Sequence, residues 1–204
     1  MKPPGCVLGL APHSGWAAAV LLGGTPQHPQ VLARERLVLC DATEPESRQP
    51  YHALAALPLP EAHRRLAHFE ARARALASAS VRPLAERAAA AGAPLAAAGI
   101  LDASGRGRAE LAAILASHAL IHAAEGDHFR AALALACQSL GVSVTRLPRG
   151  QLEARAATAL GRPAQQLADA VRALGAQLGA PWGADQKCAA LLAWLLLAQH
   201  STRT

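Results

Sequence analysis

The spacing of apolar residues changes character once along this chain, and that change limits the folds open to it. Up to about Asp41 the apolar residues come in short runs divided by turn residues. Cys6-Val7-Leu8-Gly9-Leu10 stops at Ala11-Pro12-His13-Ser14-Gly15, Trp16 to Leu22 stops at Gly23-Gly24-Thr25-Pro26, and Val31 to Leu39 follows, partly alternating. Three runs joined by short turns predict an antiparallel meander. Ala42 to Pro60 is polar and proline-rich and reads as a loop. From Pro60 the spacing becomes three and four. Leu66, Phe69, Ala73, Leu76 and Ser80 form a stripe with Arg64, Arg65, Arg72 and Arg74 outside it. This is the pattern of an amphipathic helix running to about Ala91, with Pro60 in its first turn and Gly92 just past its end. Pro83 marks where it would kink or split.

Pro94 to Leu101 is a short apolar run between helical segments, read as a strand that ends at Asp102. Arg108 to Ser139 reads as helix, with Gly126-Asp127 as a candidate break and Asp127 as the cap of a second piece. Val142 to Leu147 alternates β-branched residues and stops at Pro148, a strand signal. Helices are predicted over 150–160 and 163–178, and a last, strongly apolar one over Asp185 to Gln199. The order β-β-β-α-β-α-β-α predicts an α/β fold. Its sheet has five strands and is mixed: a three-stranded antiparallel meander plus two parallel strands, since helical crossovers impose parallel pairing.

The 204 residues suit a single domain, 1–204. With 52% hydrophobic residues the chain is not a disordered one. No apolar stretch reaches the ~20 residues that a bilayer span needs, so no membrane association is expected. The formal net charge is +6, and all the basic residues except Lys2 and Lys187 are arginine. Arginine's planar fork suits phosphate oxygens, which is compatible with DNA or RNA as partner. The same arginines also fit a solvated surface without a ligand. Arg34, Arg36, Arg106, Arg108, Arg146, Arg149 and Arg155 are the candidates for a phosphate-tracking surface. Cys6, Cys40, Cys137 and Cys188 form no C-x-x-C pair and sit in apolar contexts, which predicts reduced thiols. Met1-Lys2-Pro3-Pro4 opens no secretory leader, so the expected location is a bacterial-type cytoplasm.

Three passages, with the order of elements, resemble the ribonuclease H-like superfamily and within it the RuvC-type Holliday-junction resolvases. Val7 to Ala17, containing Gly9-Leu10-Ala11-Pro12-His13-Ser14-Gly15-Trp16, looks like the family's first strand and turn. Gly141 to Leu147, followed by Gln151 and an alanine-rich helix, is similar to its last strand and the helix after it. Pro181 to Leu191, with Asp185, looks like the opening of its final helix. The resemblance implies a ribonuclease H-like sheet. It also implies a nuclease or resolvase that acts on structured nucleic acid with Mg²⁺ or Mn²⁺, and a possible homodimer. The chain departs from the pattern at the points that carry chemistry. The family's first-strand aspartate is Ala11 here, and the second acid of its final helix is Cys188. Asp102 stands where the family's glutamate would lie, and Glu125 would take that place if its segment ended as a strand. On this reading Asp102, Glu125 and Asp185 hold the divalent metal, and His13 substitutes for the lost carboxylate as ligand or general base. The alternative is a module of the same fold that binds nucleic acid or protein, with its catalytic centre decayed.

A separate constellation comes from the residues themselves. On a helix His118, His122 and Glu125 lie at i, i+4 and i+7, hence on one face. Two imidazoles and a carboxylate can hold a single Zn²⁺ and would support a different hydrolase. The same face also reads as ordinary polar surface. Trp182, just before Asp185, could stack on a base or pack in the core.

Overall fold

A computed structural model describes residues 5–103, 109–176 and 178–201. The meander is formed by β1 (Cys6–His13), β2 (Trp16–Gly24) and β3 (Pro29–Val38). A two-residue bend between His13 and Trp16 closes the first hairpin. Gly15 there has φ +80°, and a Cβ would lie 2.6 Å from the sulfur of Cys40, so both backbone and space call for glycine. β4 (Leu95–Asp102) lies parallel to β1, and β5 (Ser143–Pro148) lies parallel to β4. The strand order is β3-β2-β1-β4-β5, the expected mixed sheet.

The helices differ from expectation mainly at their ends. The segment read as a loop contains a 3₁₀ turn (Pro45–Arg48) and α1 (Pro50–Leu54), started by Pro50 in its first turn. α2 (Leu59–Ala90) continues through Pro83. The next helical stretch divides into α3 (Leu111–Leu115) and α4 (His118–Ser139). The break therefore comes at Ser117 and not at Gly126-Asp127. Ser117 has extended backbone, and its hydroxyl accepts from the Leu120 N–H, so the cap forms there. Glu125 is consequently helical, which removes the strand version of its placement. A 3₁₀ turn (Arg149–Gln151) leads into α5 (Leu152–Leu160), and α6 (Ala164–Gly175) and α7 (Ala184–Ser201) complete the described chain.

Strand alternation divides the core. Cys6, Leu8, Leu10, Ala98 and Ile100 face α2 and α4. Val7, Ala11, Ala97 and Leu101 face α5, α6 and α7. A third apolar cluster, Tyr51, Leu54, Ala62, Phe69, Leu111 and Ile121, ties α1 and α3 to α2 and α4. The middle of α7 is buried on every side from Ala189 to Ala198, which explains its uniform apolarity. Its seat is made of glycine. Gly9 and Gly99 are register partners on the two central strands. A Cβ on Gly9 would run into the Ala189 carbonyl, and one on Gly99 would lie 2.7 Å from the Leu192 side chain. The missing side chains let α7 settle close on the sheet, and that sets where its first turn lies. None of the described helices is long and apolar enough to cross a membrane.

Candidate functional site

β1 carries odd-numbered residues toward α7, and His13 ends that series. Its ring stacks on Trp16 across the hairpin bend, with centroids 4.4 Å apart and planes within 10°. The Arg36 guanidinium covers Trp16 at 3.6 Å from the ring. Held this way, His13 places Nε2 3.0 Å from Oδ1 of Asp185, in the first turn of α7. Arg149, just after β5, brings a guanidinium nitrogen to 3.6 Å from the same oxygen. The two residues expected to meet therefore do meet, and a second basic group joins them.

The other carboxylates go elsewhere. Ala11 and, one step along the neighbouring strand, Leu101 are both buried beneath α7. Asp102 follows Leu101, so the alternation turns it toward α4. There Arg146 grips it with two nitrogens at 3.0 and 3.2 Å, and Arg130 lies 3.5 Å away. Arg146 also pairs with Asp127. Strand alternation thus pairs Asp102 with two guanidinium groups on the α4 side. Cys188, one turn after Asp185, is half-buried, and burial pushes its thiol up. Of Ala11, Leu101, Asp185 and Cys188, Asp185 alone carries a carboxylate, and the charge of Glu153 on α5 also reaches the Cys188 thiol.

Glu125 sits on α4, and only 3% of it is exposed. Its Oε1 accepts from the His52 backbone N–H at 3.0 Å and lies 3.1 Å from His52 Nδ1. Its Oε2 has no hydrogen-bond partner among the described residues. Burial pushes its carboxyl up, and the two contacts from His52 oppose that. His118 and His122, one turn apart, face each other with Nε2 atoms 3.2 Å apart. The His52 ring lies against both, with centroids 5.7 and 4.9 Å away. One ring nitrogen from each of the three lies within 4.8 Å of the others. The third imidazole of this group is therefore His52, with Glu125 behind it. A cavity of about 230 Å³ joins the two regions, lined among others by His13, Ser14, Gln49, His122, Glu125 and Arg130.

His52 was invisible to sequence reasoning because its segment lacks the length for helical periodicity. Pro50 followed by apolar Tyr51 and Leu54 was the available signal. The arginine surface also resolves into separate roles. Arg34 donates to the carbonyls of Gly179 and Pro181 at 2.8 and 2.7 Å and to Ala180 at 3.3 Å, so it clamps a loop. Arg155 is exposed on α5, and Arg106 and Arg108 lie outside the described residues. Trp182 donates to the Val171 carbonyl at 2.9 Å and packs on Gly175, a core role.

These features define a ribonuclease H-like fold, a mixed five-stranded sheet flanked by helices. No family model and no curated protein sequence matches the chain. Among solved structures it is similar to Thermus thermophilus RuvC, with a TM-score of 0.55 at 14% identity, covering 98% of this chain and 97% of the other. A second structure, of T. thermophilus RuvC in complex with Holliday junction substrate, gives the same TM-score and identity over 97% and 96%. The fold is thus related to that of RuvC. The corner beside β1 fits a Mg²⁺ or Mn²⁺ pair poorly, because such hard ions need several oxygen ligands, Asp185 is already shared by His13 and Arg149, and the other nearby acid, Glu153, is exposed on α5.

Proposed function

We propose that this chain is a RuvC-fold protein that binds structured nucleic acid through phosphate contacts and does not hydrolyse it by a two-metal route. The observation that carries the reading is the bridging of Asp185 by His13 and Arg149 beside the apolar Ala11 and Leu101. A metal ion there would have to displace two basic groups from Asp185, and the other nearby acid, Glu153, is exposed on α5. The arginine-dominated charge of +6 supports an anionic partner. The neighbour solved with Holliday junction substrate supports branched DNA as the first substrate to try. Binding would be supplied by His13, Arg149 and Arg155 on the α5–α7 side, with no sequence readout assigned to them.

The test uses the purified full chain with labelled four-way junctions, linear duplex and single strands. Binding is measured across a salt series and cleavage with Mg²⁺ or Mn²⁺. The expected result is retention that falls steeply with salt and no cleaved product. Metal-dependent cleavage that disappears in Asp185→Asn would overturn the reading and restore a hydrolytic centre at His13 and Asp185. Loss of all nucleic-acid binding at low salt would overturn it from the other side.

A further inference from the structure

The histidine group on α1 and α4 lies apart from the Asp185 corner and needs its own account. His118 and His122 project from successive turns of α4 with Nε2 atoms 3.2 Å apart. Two imidazole nitrogens bound to one tetrahedral Zn²⁺ at ~2.0–2.1 Å would be separated by about 3.3–3.4 Å. The pair is therefore already at metal-chelating distance. A hydrogen bond between two neutral rings would also satisfy that distance, but it leaves the third ring unexplained. His52 arrives from a separate helix and puts a ring nitrogen within 4.8 Å of the other two.

The placement of Glu125 makes the group more than a chance of surface composition. Its carboxylate takes the Nδ1 side of His52, which leaves Nε2 as the nitrogen with a free lone pair. A carboxylate behind a histidine is the usual means of fixing the tautomer and orientation of a metal ligand. Glu125 is buried and its second oxygen has no partner among the described residues, so a carboxylate is held in an expensive place where its Oε1 fixes both the backbone N–H and the ring of His52. His118 and His122 are exposed and His52 is half-buried, so an ion can enter from solvent. The donor set is all imidazole, which favours Zn²⁺ over Mg²⁺ or Ca²⁺.

We propose that His52, His118 and His122 bind one Zn²⁺ ion, with Glu125 positioning His52 and water completing the tetrahedron. His122 also lines the 230 Å³ cavity shared with His13, Glu125 and Arg130, so the ion would stand beside a polar chamber. The site does not depend on the nucleic-acid reading, since none of its ligands touches Asp185 or Arg149.

The experiment strips the full chain with a chelator and then titrates it with Zn²⁺ against a chromophoric competitor. One equivalent is expected to bind, with a rise in melting temperature as the ion stabilises the folded state. His118→Ala and His122→Ala are both at exposed positions and should fold while losing the tight equivalent. Glu125→Gln should weaken binding about 10–100-fold, the usual cost of losing such a carboxylate. His28→Ala, on a distant exposed turn, should bind as the parent does. Circular dichroism and melting of the metal-free proteins separate lost binding from lost folding. Absence of a stoichiometric equivalent in the folded parent overturns the proposal, as does an equivalent retained in both His118→Ala and His122→Ala.

Discussion

Nε2 of His13 stands 3.0 Å from Oδ1 of Asp185, joining the bend after the first strand to the first turn of the last helix. The contact is the product of backbone geometry at two distant places. The bend needs Gly15, and the height of α7 over the sheet needs Gly9 and Gly99. There His13 and Arg149 share Asp185.

Asp185→Asn should separate this arrangement from a metal site. His13 and Asp185 are both partly exposed, so losing their pair is expected to cost about 1 kcal/mol or less. Removal of a negative charge between His13 and Arg149 should leave nucleic-acid binding intact or tighter. It should also steepen the slope of log affinity against log salt by roughly one. Filter binding at several salt concentrations checks it. A weaker complex would mean that the carboxylate itself takes part in binding.

Gly9→Ala should be the most damaging small substitution in the sheet. Its Cβ would meet the backbone carbonyl of Ala189, which cannot swing aside as a side chain could. The expected loss is about 3 kcal/mol or more, at the upper end of overpacking costs. Gly99→Ala meets the Leu192 side chain instead, so it should cost less. Urea denaturation of the two variants ranks them, and equal losses would contradict the proposed seat of α7.

The meander, the change of period at Pro60 and the apolar last helix were legible because each rests on local spacing. So was the pairing of His13 with Asp185, once the sheet order was known. The surroundings of Asp102 were harder to read because its side depends on one residue of register. A strand end read one step differently turns a carboxylate from α7 to α4. His52 escaped because α1 has five residues, too few for a periodic signal. The contact of Glu125 with His52 was hidden for the same reason, since its partner lies in that helix. The arginines looked alike in sequence, and only tertiary contacts separate the loop clamp of Arg34 from the Asp185 contact of Arg149.

Arg34→Ala tests the clamp. The guanidinium donates to successive carbonyls before α7, and its loss leaves them to water. The expected destabilisation is about 1–2 kcal/mol, because the loop is exposed and its carbonyls can be rehydrated. Limited proteolysis should then cut first between α6 and α7. Unchanged cleavage there would show that Trp182, anchored to Val171, holds the loop alone.

His128 should make the folded state sensitive to mild acid. Burial pushes its imidazole from 6.5 down to about 4, and Asp127 only partly opposes this. Its Nε2 has no hydrogen-bond partner among the described residues, and the ring packs against Phe129 and edge-on to Tyr51. Between pH 6.5 and 4 the unfolded chain takes up a proton at this residue and the folded chain does not. The unfolded state then binds more protons, so stability falls as pH falls through that window, by ~3 kcal/mol in all. His128→Phe keeps an aromatic ring among aromatic neighbours and removes the titration. Urea denaturation at neutral pH and near pH 4.5 should show the parent losing more stability than the variant, by about 2–3 kcal/mol. Glu125, whose carboxyl burial pushes up, acts with the opposite sign and is common to both proteins, so it cancels in the difference. Parallel losses in parent and variant would place the acid sensitivity elsewhere in the fold.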